Sequence, residues 1–513
     1  MTTKKLIALL LAMMLLCTCM LTGCQDSPEA LAKKAKNTVA VTVLGHKINA
    51  VQLNFFYTEM INSFVNDYSY YVYYMMDVYS PLDQQVFDEE SGQTWADRFL
   101  EMALTNLKGT YILYDAALKA GLTLNEDQEN EVAAVMESLS YYATQYKFDS
   151  VDAYLTNLFG YGADAEAYEE YYRINLLADA YYAQHYESLD FSVEELAAYE
   201  AKNATTFNSY SFAYYTLYTS KYLKGGTEDS SGNVTYSDEQ KALAIVDAEL
   251  DAKALAAGKY ANAAEFNAAI AQLPVNTSIA SVVCTEKTDL LYSEVSSTFS
   301  EWIGDSQRIA GDTTVIAKTI TDSTNNTTTI DGYYVLVFLG CNDNRFNMKN
   351  VRHVLVQFEG GKTDSSGVTT YTDEEKAAAK AEAEALLEQW KSGAATEASF
   401  AELANKESDD RGGKVTNGGL YENIQPGQMV ANFDAWCYDP QRVAGDYGIV
   451  ETEYGYHLMY FVGNTTMTYR DYMVLTVMRS ESISAWYNEM LESTTVKTKN
   501  LDFVNTSMIL ANA

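Results

Sequence analysis

The sequence predicts a multidomain α+β protein: an all-helical N-terminal region followed by two tandem copies of one α+β unit, each an antiparallel sheet flanked by helices. Three observations predict this. Residues 225–340 (GGTEDSSGNVTYSDEQKA…STFSEWIGDSQRIAGD…GYYVLVFLG) recur in residues 360–463 as GGKTDSSGVTTYTDEEKA…ANFDAWCYDPQRVAGD…GYHLMYFVG. Phe266/Phe400, Phe299/Phe433, Trp302/Trp436 and Arg308/Arg442 share one constant offset, so a single folding unit is used twice. Upstream, apolar residues recur at helical spacing through most of residues 49–205. Within each copy, strand-like segments bracket helical ones.

The chain opens with Lys4 and Lys5, an apolar run from Leu6 to about Leu21, and a small-residue site, the build of an export signal over residues 1–23. The run is at the short end for a membrane span. Leu21-Thr22-Gly23-Cys24 resembles the bacterial lipobox, which implies cleavage before Cys24 and a diacylglycerol thioether on its sulfur. Residues 24–37 then read as lipidated cysteine and tether, which places the protein on the outer face of a bacterial cell membrane. The chain beyond the signal is too long for one core.

Residues 38–205 read as one helical domain. VAVTVLGHKIN forms a short hairpin with His46 as a solvent-facing turn residue. Leu100, Leu104, Leu107, Tyr111, Tyr114 and Leu118 make an apolar stripe that Gly121 ends. Further helices are expected at about 49–77, 124–146, 164–187 and 192–201, with His185 late in one of them. The tyrosine-dense run FFYTEMINSFVNDYSYYVYYMMDVYS reads first as a core helix and second as an aromatic groove for unfolded chain segments. The two α+β units are assigned to residues 206–345 and 346–465. The first inserts TITDSTNNTTTID, an extended hairpin tipped by Asn325-Asn326. In residues 466–513, YMVLTVM reads as a strand and SESISAWYNEMLEST as a helix that packs back on the helical domain.

Composition excludes several functions. With 35 basic against 70 acidic side chains, nucleic acid is not an expected partner. Beyond Cys24 the cysteines are Cys284, Cys341 and Cys437, spaced for neither a zinc site nor a disulfide framework. No metal or cofactor is implied. A solute-binding lipoprotein would need repeated strand–helix alternation, whereas residues 49–205 read as helical throughout.

Of four histidines, His353 and His457 fall in the second copy, and the first copy has Tyr215 and Tyr334 at the positions read as matching. VRHVLV with His353, Lys406-Glu407-Ser408-Asp409-Asp410, Gly418-Gly419 with Pro426-Gly427-Gln428-Met429-Val430-Ala431-Asn432-Phe433, and Thr452-Glu453-Tyr454-Gly455-Tyr456-His457 occur in this order along the chain. Together they resemble the parvulin family of peptidyl-prolyl cis–trans isomerases. The lipobox, the helical region and the C-terminal return more loosely resemble foldase lipoproteins of the PrsA and SurA kind. The resemblance implies isomerisation of X–Pro bonds in unfolded exported polypeptides. His353, Asp410, His457 and Thr452 would be the catalytic polar groups, and Met429, Phe433, Leu420 and Ser408 would contact substrate. Met429 and Phe433, four apart, are expected on one helix face. Leu420-Tyr421-Glu422 departs from the family's usual GGDLG at the pocket rim, and the loop after Asp410 reads one residue longer. At the common offset Ser408, Asp410, Gly418, Gly419 and Met429 become Pro274, Asn276, Cys284, Thr285 and Val295. The first copy is therefore expected to be inactive, and a non-catalytic chaperone with two inactive copies is the alternative.

Overall fold

The computed structural model describes residues 27–277, 281–323, 326–410 and 417–510. The export signal, Cys24, Asn325 and residues 411–416 lie outside the described residues. The chain divides into two compact units, residues up to Asp190 together with Met478 onward, and Phe191–Val477. The divisions thus fall at 190/191 and 477/478 rather than at 205/206 and 465/466, and helix Val193–Lys202 belongs with the sheets.

The first unit is built on helices Ala50–Tyr68, Trp95–Lys119, Glu126–Gln145, Val151–Phe159 and Ala165–Ser188. Their apolar faces meet around Phe55, Phe56, Phe99 and Leu107. Thr94 and Asn125 start two of these helices with capping boxes, each satisfying otherwise unpaired N–H groups. The N-terminal hairpin is present, and the C-terminal Val496–Thr498 adds a third strand beside Val39–Val43. His46 is not a free turn residue: its Nε2 lies 3.3 Å from Asp115 Oδ1, and its ring sits near Tyr111 and Tyr114.

Two expectations about elements fail. The helix expected over 49–77 ends at Tyr68, because Ser69 adopts φ 45° and the chain continues as a 3₁₀ turn and the short helix Val72–Met75. YMVLTVM is not a strand but part of one helix, Tyr469–Ser493. Local capping outweighs its β-branched residues: Thr468 Oγ1 accepts from the Asp471 N–H at 3.2 Å and donates to the Asp471 carboxylate at 2.6 Å.

In the second unit each copy makes a four-stranded antiparallel sheet of the same order. The first runs Thr285–Leu291, Ser209–Tyr218, Thr327–Asn342, Thr313–Asp322. The second runs Leu420–Ile424, Asn347–Gln357, Gly455–Thr468, Tyr447–Glu451. On one face lies a long helix whose alanines (Ala244, Ala248 and Ala252; Ala379 and Ala383) are small enough for close approach to the sheet. The other face is covered by the short helix carrying Phe299 or Phe433. The shared Trp–Arg pair explains its recurrence. Arg308 stacks 4.5 Å from the Trp302 ring and donates to the Trp302 carbonyl, and Arg442 does the same over Trp436 at 4.0 Å. Each guanidinium thus ties the end of its short helix to the following loop.

Candidate active site

The polar groups of the second copy converge on the face covered by helix Ala431–Cys437. In strand Asn347–Gln357, Val351 and His353 point to this face while Val354 and Val356 point to the long helix. Strand Gly455–Thr468 pairs alongside, with Leu355 opposite His457 and His353 opposite Met459, so both imidazoles emerge on one side. Their Nδ1 atoms are 3.2 Å apart, and both rings are buried. Phe433 meets each edge-on, at 5.5 Å from His353 and 5.4 Å from His457.

The remaining polar contacts favour one order of protons. His457 Nε2 is 2.9 Å from Thr452 Oγ1, and His353 Nε2 is 3.1 Å from Asp410 Oδ2 though out of line for a hydrogen bond. If Thr452 donates to His457 Nε2, then His457 Nδ1–H donates to His353 Nδ1, and His353 presents Nε2–H toward a carboxylate. The reverse order would turn a bare nitrogen lone pair toward Asp410, which is unfavourable. Burial together with the neighbouring imidazole lowers the His457 pKa to about 4, against a smaller opposing effect of Asp410, so that ring is neutral at pH 7.

The supporting backbone is local. Gly418 and Gly419 hold φ of +71° and +65°, and Gly419 accepts the His353 N–H. A Cβ on Gly419 would run into the His353 carbonyl oxygen, so only glycine lets this loop lie against the strand. Arg352 fastens it from the opposite face, donating to the Asn417 and Gly418 carbonyls at 2.8 and 3.0 Å.

The structure brings together His353, His457, Thr452, Asp410 and Phe433, with Met429 packed against the same cluster. Three expectations change. Met429 is not on the Phe433 helix, which begins at Ala431; the Pro426-Gly427 turn, with Gly427 at φ +76°, precedes it. Leu420 pairs opposite Arg352 and so faces away from the imidazoles, because neighbours across strands share a face. Ser408 is occupied by the backbone: its hydroxyl oxygen accepts from the Leu355 N–H at 3.0 Å and the Asp410 N–H at 3.3 Å, pinning the Asp410 loop to the sheet.

The residue that sequence reasoning missed is Tyr421. It pairs opposite Val351, its ring lies 4.6 Å from His353, and its hydroxyl donates to Asp410 Oδ2 at 2.7 Å. Desolvation, then the Asp410 contact, raises its pKa, so it remains a donor. Strand parity after Gly419 was the available signal. The departure at the rim thus places a phenol within the site.

Comparison with known proteins gives a family for this segment. Residues 353–463 match the family model described as Rotamase: PPIC-type PPIASE domain. This segment is a PPIC-type rotamase domain. No curated protein matches the chain. Solved structures that resemble it include the peptidylprolyl isomerases (PrsA) of Bacillus anthracis and Bacillus cereus, each at 20% identity and TM-score 0.18. The match covers 29% of this chain and 59% of the first, and 32% and 57% for the second. The chain therefore spans less than two thirds of either.

Proposed function

We propose that the chain is a membrane-anchored extracytoplasmic foldase whose second α+β copy isomerises X–Pro bonds in exported, unfolded polypeptides. The observation that carries this reading is the buried imidazole pair, bracketed by Thr452 and Asp410 and floored by Phe433. Rotation about the peptide bond faces a barrier of roughly 18–20 kcal/mol from amide resonance. Nothing needs to be cleaved; the protein has only to favour the twisted amide over the planar one. Phe433 and Met429 offer an apolar seat for the pyrrolidine ring. Tyr421 and the imidazoles supply donors and acceptors above it that suit a carbonyl turned out of conjugation.

The first copy has the sheet and the phenylalanine without the imidazoles, and it serves as scaffold. The lipobox-like Leu21-Thr22-Gly23-Cys24 supports anchoring through a lipid on Cys24. A protease-coupled assay on a proline peptide tests the reaction: cis-to-trans conversion is accelerated, and His353→Ala and His457→Ala each remove the acceleration. Absence of acceleration in the unaltered chain would leave a non-catalytic holdase. Anchoring is tested separately by lipid labelling in a bacterial host, which Cys24→Ala abolishes.

A further inference from the structure

The tyrosine-dense run of the N-terminal unit divides in two. Phe55, Phe56 and Tyr57 are buried, whereas Tyr70, Tyr71, Tyr73, Tyr74 and Tyr79 are 62–73% exposed. This exposure is built in. The helix ends at Tyr68, and Val72, Met76 and Val78 then point inward and anchor the segment, which turns the intervening tyrosines outward. The Gln85 side chain holds the next turn, donating to the Asp77 and Ser80 carbonyls at 2.8 Å and accepting from the Asp77 N–H. The aromatic rings lie in two groups: Tyr70 packs 5.4 Å from Tyr74 and 6.2 Å from Tyr73, and Tyr68 contacts Phe64, which meets the buried Trp95 and through it the exposed Phe87. A patch of this kind marks a contact site rather than ordinary surface.

Its charge identifies the occupant. Between Lys47 and Arg98 the sequence has no lysine or arginine, and it has eight carboxylates. Of these Asp67, Asp77, Glu89 and Glu90 are exposed. Hydrogen bonds from Ser80 and the Tyr79 N–H lower the Asp77 pKa, so that carboxylate stays ionised. Phenol faces carry negative potential and attract cations, and ionised carboxylates beside them add to it. The protein's own Arg98 illustrates the contact, lying 5.6 Å from the Phe87 ring centre at the edge of this surface.

We infer that the Tyr68–Tyr79 surface docks extended polypeptide segments rich in lysine and arginine, through cation–aromatic contacts supported by the surrounding carboxylates. The choice of a polypeptide as carrier of the cations rests on the foldase reading; the preference for cations rests on the surface alone. Held there, a basic stretch of unfolded chain would be kept from collapse without any demand for proline.

The test is calorimetric titration of the full chain with three disordered peptides of equal length, in which the same positions are lysine and arginine, glutamine, or glutamate. The basic peptide is expected to bind at least tenfold more tightly than the glutamine peptide, with affinity falling as salt rises. The variant Tyr70→Ser, Tyr73→Ser, Tyr74→Ser, Tyr79→Ser changes only exposed side chains. It should weaken binding of the basic peptide at least tenfold while its circular dichroism and isomerase rate stay unchanged. A second variant, Glu89→Gln with Glu90→Gln, should weaken it a fewfold. Equal affinity for the basic and glutamine peptides, or undiminished binding by the tyrosine variant, would overturn the inference. So would a tyrosine-dependent dimer in sedimentation, since a second copy would then be the occupant. Loss of isomerase activity with these preferences intact would strike the foldase reading and leave the docking surface standing.

Discussion

In the two copies of the α+β unit, the same two strand positions carry a tyrosine pair in one and a histidine pair in the other. Phe338 and Phe461 fix the equivalence: each exchanges hydrogen bonds with the loop Gly311-Asp312 or Gly445-Asp446, and Phe338 pairs opposite Phe212 as Phe461 does opposite Val351. Tyr334 therefore matches His457, and Tyr214, not Tyr215, matches His353. Tyr214 and Tyr334 each sit 5.1 Å from Phe299, as the imidazoles sit against Phe433. Tyr215 faces the other side, where its hydroxyl donates to Asn276 at 3.2 Å. The slip of one residue in the sequence alignment exchanged the two faces of the strand.

The comparison teaches that sheet, short helix and aromatic floor make a fold, and that three further features set the candidate site apart. The first is the change from phenol to imidazole, which can accept at one nitrogen while donating from the other. The second is the tight turn Thr452–Gly455, in which the Thr452 N–H donates to the Gly455 carbonyl and the hydroxyl comes back to His457. In the first copy the strands run on at this point as Thr313–Asp322 and Thr327–Asn342, with Lys318 and Asp331 paired between them, so no hydroxyl returns. The third is the Ser408–Asp410 loop, pinned to the sheet and topped by Tyr421.

The most severe way to break the comparison is to erase it. The double variant His353→Tyr, His457→Tyr converts the site to the first copy's pair. It should lose at least ~100-fold in isomerase rate, about 3 kcal/mol in transition-state stabilisation, while retaining its circular dichroism. The reciprocal Tyr214→His, Tyr334→His should gain no activity, lacking the Thr452 and Asp410 equivalents; measurable activity there would show that the imidazoles suffice. Next, Phe299→Ala and Phe433→Ala should each destabilise their own copy by roughly 3–5 kcal/mol in chemical denaturation. Only Phe433→Ala should also affect isomerisation.

A third prediction uses pH. The folded His457 pKa of about 4 lies below its ordinary 6.5. Between these values the unfolded chain binds a proton that the folded chain does not, so stability is full above about pH 6.5 and declines as pH falls toward 4. The linkage amounts to about 3 kcal/mol at most. NMR titration should show one imidazole neutral down to about pH 4, and His457→Gln should remove this part of the pH dependence. The smallest effect is expected from Tyr421→Phe, which removes one hydrogen bond to Asp410, about 1 kcal/mol, and should lower the isomerase rate a fewfold without altering the first copy.

The sequence by itself determined the duplication, the helical character of the N-terminal unit, and the family of the second copy, because repeats, periodicity and ordered motifs are local properties of the chain. It also named His353, His457, Asp410, Thr452 and Phe433, which the structure brings together. Tertiary structure decided which neighbours share a face: Tyr421 rather than Leu420, Tyr214 rather than Tyr215. That choice depends on strand pairing, where a one-residue shift reverses every side chain. Structure also decided that Ser408 serves the backbone, that YMVLTVM is helical, and that half of the tyrosine-rich run is solvent-facing. In each case the deciding partner, whether Leu355 N–H, Thr468 or the inward Val72, Met76 and Val78, acts through contacts and caps that composition does not reveal.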